Sequence, residues 1–347
     1  MNEGFQKFIA APAKDRLDAF LAASQRLGAN VQFIEKDFWV CWTLDVLYHG
    51  LAAGGPRLLF KGGTSLSKGY GLIQRFSEDI DITVFREDLN QAASVEDLEA
   101  LTGKKRKARL DAIRDACQIW VRGSLREGVN ARVVQFVPEG SRVEADDTDP
   151  DGQTLLVSYA SITPDKSDYI RPVIRIECGA KSALDPHEET TVRPYVAEET
   201  QELNISVPGV TTIEPVRSFW DKAVIAHGLR RWYEIRGELR QEGQRISRHY
   251  YDLHCLYHSP VGPLALADRN LAEDCVRHAR LFFDRPDFDL SSARTGSWAI
   301  EPNPKMLERL QVDYEKTSPM IFGLAPSFEE VMASVKALNV AANQIER

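Results

Sequence analysis

The sequence reads FKGGTSLSK at residues 60–68 and SEDIDITV at residues 77–84. In the first stretch an apolar strand over residues 57–60 breaks at a double glycine, and a helix follows over residues 65–72. In the second, Asp79 and Asp81 alternate with isoleucines, and this period of two places both carboxylates on one face of a strand. Together they predict a strand, a glycine turn, a helix and a second strand with one acidic face.

The double glycine is typical of backbone that approaches a phosphate group. Glycines at a strand-to-helix junction expose N–H groups, and the start of a helix adds partial positive charge. The predicted nucleotide-binding residues here are Gly62, Gly63, Thr64, Ser65 and Lys68. A P-loop is excluded, because Ser67 replaces its second glycine and Gly69 replaces its hydroxyl residue. A purely structural turn remains the alternative for these glycines.

The paired aspartates predict a site for a divalent metal ion. Carboxylates at i and i+2 of a strand project side by side, and Mg²⁺ or Mn²⁺ held there would bridge the oxygens of a nucleoside triphosphate. Glu177, at the end of a β-patterned run over residues 171–179, is the candidate third acid. The alternatives are an exposed strand face for the aspartates and an ion pair with Arg175 or Lys181 for Glu177. Without a third acid, nucleotide oxygens would complete the metal site.

The wider pattern predicts an α+β core followed by a C-terminal helical bundle. A helical segment over residues 12–48 precedes the core, which contains one or two helices over residues 95–127. Further strands are predicted over residues 131–137, 154–162 and 171–179. Helices follow over residues 216–242, 246–258, 268–283, 304–317 and 327–345. The predicted domains are an N-terminal helical segment (1–50), an α+β domain (51–210) and a helical domain that contributes to the active site (211–347).

Composition indicates a globular protein of 347 residues, with 43% hydrophobic and 27% charged residues. The five cysteines are scattered without disulfide or zinc spacing, and we expect a reducing, cytoplasmic location with no membrane segment. A net charge of −8 disfavours a general nucleic-acid coat. A local basic run over residues 230–248 nevertheless lies among aromatic residues that suit stacking on single-stranded RNA or packing in a core: Trp220, Trp232, Tyr233, Tyr250 and Tyr251.

These motifs resemble those of the nucleotidyltransferase superfamily, and more closely the AbiEii/AbiGii-type toxin nucleotidyltransferases of abortive-infection and toxin–antitoxin systems. The resemblance covers most of the chain. It comprises IEKDFW at residues 34–39, GGTSLSK at 62–68, EDID at 78–81, FWDK at 219–222 and RHYYDL at 248–253. The third of the family's motifs departs slightly, because Asp221 stands where glutamate is more familiar.

The resemblance implies a polymerase-β-like nucleotidyltransferase core, a mixed β-sheet with helices, joined to a helical C-terminal half. It implies that Lys222 and Asp252 complete the catalytic set with Asp79 and Asp81, and that Arg248 binds nucleotide. Lys222 would offset triphosphate charge, and Asp252 would act as a base or orient the lysine or a substrate hydroxyl. The alternatives are a solvated Lys222 beside Asp221 and an ion pair between Asp252 and Arg248.

The function implied is transfer of NMP from an NTP to RNA, in particular the 3′ end of tRNA, by a toxin with a cognate antitoxin. The resemblance also implies a role in phage defence and the modification of tRNA. The alternatives are a protein or small-molecule acceptor, γ-phosphoryl transfer, and a non-catalytic nucleotide-sensing protein that binds a partner. The same metal and lysines would serve γ-phosphoryl transfer.

Overall fold

The computed structural model describes residues 1–137, 140–164, 171–240, 245–283 and 285–344. Contacts divide the chain into two compact units. The first comprises Met1–Gly71, Phe76–Ala93 and Thr102–Ile213, and the second comprises Leu72–Arg75, Ser94–Leu101 and Glu214–Arg347. None of the helices in the described ranges combines the length and apolar character needed to cross a bilayer.

The first unit is built on a seven-stranded mixed sheet. Its strands are β1 (Leu58–Lys61), β2 (Asp79–Val84), β3 (Arg142–Ala145), β4 (Thr154–Ser158), β5 (Val173–Gly179), β6 (His187–Val192) and β7 (Val207–Ile213). They lie in the order β3-β4-β5-β2-β1-β7-β6. Strand β2 is antiparallel to β1 and parallel to β5, so the acidic strand lies at the centre of the sheet.

The α-helices, in chain order, are α1 (Glu3–Ala10), α2 (Ala13–Leu27), α3 (Val31–Asp45), α4 (Gly62–Lys68), α5 (Val95–Glu99), α6 (Gly103–Trp120), α7 (Arg126–Phe136), α8 (Pro215–Arg236), α9 (Ser247–His258), α10 (Val261–Ala267), α11 (Arg269–Phe282), α12 (Pro304–Thr317) and α13 (Phe328–Asn343). Every residue of α3 is buried, including its charged ones. Aromatic rings line this helix, with Phe38 packed against Phe5, Phe8 and Phe20. A buried helix of this kind fixes the first unit's core.

The second unit is helical. Helix α8 packs against α9, α10 and α11, and α9 also packs against α12 and α13. The side chains of Phe219, Trp220 and Tyr250 are fully buried in this unit. The chain is therefore an α+β protein with a helical C-terminal part, as the sequence pattern predicts.

The structure corrects several of the predicted elements. The predicted strand over residues 131–137 is wrong, because residues 131–136 belong to α7. Val129 and Val133 are buried four residues apart while Val134 is 75% exposed, which is a helical periodicity. Helix α4 begins at Gly62 rather than at residue 65. The predicted ends of two helices, at 241–242 and at 345, lie outside the described residues.

Candidate active site

The two aspartates lie on one face of β2. The strand alternates half-buried aspartates with buried isoleucines, as the sequence predicts. The neighbouring strand β5 runs parallel to β2, with Arg175 at the register position of Asp79 and Glu177 at that of Asp81. The side chains of Asp79 and Asp81 are 30% and 27% exposed, and that of Glu177 is 41% exposed. The sheet thus brings the three predicted acids together on a face that solvent reaches.

Gly62 is needed because the carboxylate of Asp81 lies against it. The residue has a φ of +80°, a conformation that favours glycine. A Cβ atom at this position would lie 1.9 Å from Asp81 Oδ2. Lys61, the preceding residue, is paired with Asp81 across the sheet, and its Nζ is 4.0 Å from Asp81 Oδ1. The glycine motif and the acidic motif therefore meet at one point.

The two side-chain hydroxyl groups that follow the double glycine form hydrogen bonds within the protein. Thr64 donates to the backbone carbonyl of Asp79, and its Oγ1 lies 2.8 Å from Ser77 Oγ. The hydroxyl of Ser65 donates to the carbonyl of Gly62 over 3.0 Å. Both residues are buried. These contacts fix the turn to the start of β2, so the two predicted nucleotide-binding residues hold the turn in place.

Burial, together with mutual repulsion of carboxylates, governs the electrostatics of this face. Burial and the nearby carboxylates of Glu177, Glu78 and Asp81 raise the pKa of Asp79 to about 7, against the opposing effect of Arg175. Burial and Asp81 also raise the pKa of Glu177, although Arg175 lies 3.1 Å from its carboxylate. The anticipated pair of Glu177 with Arg175 is thus formed, and the acidic face still carries excess negative charge.

Lys68 does not project from the turn. Its side chain is 5% exposed, and its ammonium group lies 2.8 Å from Asp37 Oδ1 of α3. The same group is 3.5 Å from the centre of the Tyr195 ring. The sequence assigned this lysine to the nucleotide, but its charge is matched by a buried carboxylate.

In the second unit, Asp252 joins two buried cations. Arg75 donates two hydrogen bonds to it, over 2.7 and 2.8 Å, and Lys222 donates one over 2.7 Å. Asp252 is completely buried, and the side chain of Lys222 is 10% exposed. Despite burial, the two cations lower the pKa of Asp252 far below its usual range. The structure thus pairs Asp252 with Lys222. Arg248, which the sequence spacing suggested as the partner of Asp252, is exposed instead.

Arg75 is a candidate site residue that the sequence pattern did not indicate. In the sequence it lies between the glycine motif and the acidic motif of the first unit, but its contacts assign it to the second unit. Its partner Asp252 is 177 positions away, and no local spacing rule connects residues so far apart. Gln74 beside it accepts a hydrogen bond from the backbone of Phe322, over 2.7 Å, which anchors the segment.

Most of the aromatic residues beside the basic run are core residues. Trp220, Tyr233, Tyr250 and Tyr251 are buried, so a stacking role for these four is wrong. Trp232 alone among the five is partly exposed, and the guanidinium groups of Arg236 and Arg240 lie 5.4 and 5.9 Å from its ring centre. Arg240 also lies 4.8 Å from the centre of the Phe288 ring, which the sequence did not suggest.

A model of the family described as nucleotidyl transferase AbiEii toxin, type IV TA system, matches residues 45–334. Among solved structures, MenT4, a nucleotidyltransferase toxin from Mycobacterium tuberculosis H37Rv, is similar with a TM-score of 0.49 and 16% sequence identity. That similarity covers 91% of this chain and 85% of MenT4. No match was found among curated proteins. The segment matched by the family model includes the aspartates of β2 as well as Lys222 and Asp252.

Proposed function

Because the chain belongs to the AbiEii family of nucleotidyltransferase toxins, a type IV toxin–antitoxin family, we propose that it transfers NMP from an NTP to RNA and releases pyrophosphate. The acceptor in this proposal is the 3′ end of tRNA. The protein would act in the cytoplasm as a growth-arresting toxin, with an antitoxin encoded alongside, in a toxin–antitoxin or phage-defence system.

One observation carries the proposal: two partly exposed carboxylates lie side by side on β2, against a glycine turn that has no room for a side chain. Asp79 and Asp81 occupy alternate positions of one strand, and Asp81 touches Gly62. A nucleotidyl transferase needs such carboxylates beside backbone that a phosphate can approach.

The residues of this face fit a divalent metal ion. Carboxylate oxygens are the ligands that Mg²⁺ and Mn²⁺ prefer, and a cation would favour the charged form of Asp79, which burial and the neighbouring carboxylates disfavour. Among the described residues, no group of three or more His, Cys, Asp or Glu is arranged to hold a metal. We therefore assign Asp79 and Asp81 as the protein ligands, with Glu177 beside them and nucleotide oxygens completing the set. A bound ion would neutralise triphosphate charge.

Lys222 supplies the positive charge in this proposal, and Asp252 orients it. Both oxygens of Asp252 accept hydrogen bonds from cations, and its pKa is strongly lowered. Such a carboxylate is a poor proton acceptor at neutral pH, so we favour the orienting role over the basic one. Arg248 lies on the same helix as Asp252, and its exposed guanidinium is available to the nucleotide's phosphates.

RNA is favoured over a protein or small-molecule acceptor by the cluster of Trp232, Arg240 and Phe288. Here a guanidinium group lies near two aromatic rings that are partly exposed. Bases stack on aromatic rings and arginine planes, and arginine also pairs with phosphates. Such a cluster suits an unpaired RNA end.

Labelled nucleotides test the reaction. Purified protein is incubated with total RNA, Mg²⁺ and each NTP labelled at the α-phosphate, and again at the γ-phosphate. We expect label in RNA from the α position alone, and none with the Asp79→Asn variant. The Asp147→Asn variant, altered in an exposed loop, is the matched control and should be fully active. Label from the γ position would instead establish a phosphotransferase.

The acceptor is tested on the same product. Periodate oxidation of the RNA before the reaction destroys the terminal 2′,3′-diol, and we expect it to abolish labelling. Label that survives in oxidised RNA would contradict a 3′-end acceptor, and label that is removed by protease but not by ribonuclease would identify a protein acceptor.

A further inference from the structure

Three consecutive charged residues are buried in the middle of α3. Glu35, Lys36 and Asp37 are 2%, 3% and 4% exposed. These residue types are almost never buried unless they are paired. Successive residues of a helix point about 100° apart, so the three side chains leave α3 in different directions. They precede residues 45–334, the segment that the family model matches.

Each of the three has its own partner or partners in the first unit. Glu35 accepts hydrogen bonds from the hydroxyls of Ser161 and Thr163, over 2.6 and 3.0 Å, and from the backbone N–H of Ile162, over 2.8 Å. Lys36 donates to the carboxylate of Glu78 over 2.5 Å.

Asp37 has two partners. One oxygen pairs with the ammonium group of Lys68, 2.8 Å away, and the other accepts from the backbone N–H of Tyr195 over 2.7 Å. Tyr195 also covers Lys68 with its ring, and its hydroxyl lies 3.2 Å from Ser67 Oγ. The ammonium group thus lies between a carboxylate and an aromatic face.

Two of these partners adjoin the candidate active site. Glu78 immediately precedes Asp79, the first residue of β2, and Lys68 is the last residue of α4, which begins at Gly62. Helix α3 therefore holds one end of each segment. The contact between Gly62 and Asp81 leaves no space for even a methyl group, so small shifts of α4 against β2 would disturb the site.

We propose that Glu35, Lys36 and Asp37, here called the α3 clamp, set the position of the glycine turn relative to the aspartates. Lys68 is then a positioning residue that anchors α4 and does not bind the triphosphate. Burying ions costs several kcal/mol each, and apolar residues of similar size often stabilise a fold as well or better. A positioning role accounts for charges that stability alone does not require.

Kinetics of single variants test the clamp, and this arm rests on the proposed function. Asp37→Asn keeps the Lys68 ammonium but removes the charge that holds it, while Lys68→Met removes the ammonium itself. If both residues act through position, both variants should lower kcat about 10- to 100-fold and change the KM for NTP by less than about threefold. Asp37→Glu, which retains the charge, should recover part of kcat.

The following kinetic results would overturn the clamp. A KM for NTP that rises tenfold or more in Lys68→Met but not in Asp37→Asn would make Lys68 a phosphate ligand. Unchanged kcat in all the variants would leave the three charges without a positioning role. If Lys68→Met does not fold, Ser161→Ala with Thr163→Val, which removes two donors to Glu35, should show the same loss of kcat at constant KM. Unchanged kcat in that protein would also overturn the clamp.

Amide hydrogen exchange separates failure of the clamp from failure of the proposed function. If the wild-type protein transfers no nucleotide, the proposed function fails, and exchange still tests the clamp. We expect Asp37→Asn to accelerate exchange about tenfold or more in α4 and at the start of β2, by loss of roughly 1.4 kcal/mol of local stability. Asp15→Asn, in an exposed turn of α2, is the control. Equal exchange in Asp37→Asn and the control would overturn the clamp.

Discussion

Replacing Asp79 with asparagine should stabilise the metal-free protein at about pH 8, although the same change should abolish transfer. Asp79 has a pKa of about 7 because burial and the carboxylates of Glu177, Glu78 and Asp81 disfavour its charge. Between about pH 4 and pH 7 the folded protein binds this proton and the unfolded chain does not. The free energy of unfolding therefore falls as the pH rises through that window.

The size of the effect follows from the pKa. A change from 3.8 to about 7 is roughly three units, or about 4 kcal/mol. The side chain is 30% exposed, and solvent screens part of the repulsion. We therefore expect Asp79→Asn to gain about 2 kcal/mol near pH 8 and progressively less as the pH approaches about 4, since asparagine carries no charge to bury.

Urea unfolding in EDTA, at several pH values, measures this difference. The control variant Asp147→Asn should have the same urea unfolding midpoint as the wild type at every pH. Addition of Mg²⁺ should then stabilise the wild type and leave Asp79→Asn unchanged, because a ligand stabilises only the state that binds it. An Asp79→Asn protein that is no more stable than wild type near pH 8 would refute the view that the acidic face is destabilised by its own charge.

Three further predictions concern other residues. Gly62→Ala should lose activity and about 2–3 kcal/mol of stability by urea unfolding. Gly54→Ala, at a similar φ of +87° but with nothing within 4 Å of its Cβ, should lose only about 1 kcal/mol. Equal losses would show that contact with the Asp81 carboxylate does not add to the cost of a side chain at Gly62. Lys222→Met should remain folded by circular dichroism, because Asp252 keeps its two hydrogen bonds from Arg75. It should nevertheless lose at least about 100-fold in kcat/KM. Unchanged turnover would exclude Lys222 from the active site. Arg240→Ala should weaken RNA binding in a filter assay by about 1–3 kcal/mol while leaving the KM for NTP unchanged, and an unaltered RNA affinity would place the acceptor elsewhere.

The acidic strand was predictable because its signal is local. Asp79 and Asp81 alternate with buried isoleucines, and a period of two reads directly as a strand. Strand β6 gave no such signal, since its residues are mostly exposed and polar at the edge of the sheet. The prediction over residues 131–137 failed because adjacent valines suit either period, and the burial of both Val129 and Val133, four residues apart, is typical of a helix.

The partners of the site residues were not predictable in the same way. The sequence marks Lys68 and Asp252 as chemically useful, but it does not show that Asp37 or Arg75 binds them across 31 and 177 positions. Pairing over such separations depends on how helices and strands pack. Burial also shows which aromatic residues beside the basic run belong to the core. Their proximity to arginines in the sequence could not distinguish core packing from RNA stacking.

Charge balance explains why Lys222, and not Lys68, remains the better candidate for binding a phosphate. Lys68 is matched one to one by Asp37, which outweighs the effect of burial and raises the pKa of Lys68. Around Asp252, two buried cations share one anion. Burial and the nearby Arg75 lower the pKa of Lys222 despite the attraction of Asp252. Within these three residues the cations outnumber the carboxylate by one, and an arriving anion would be stabilised beside them. A neutral pair such as Lys68 and Asp37 would gain nothing comparable from an anion, which agrees with the proposal that the α3 clamp holds Lys68 in place.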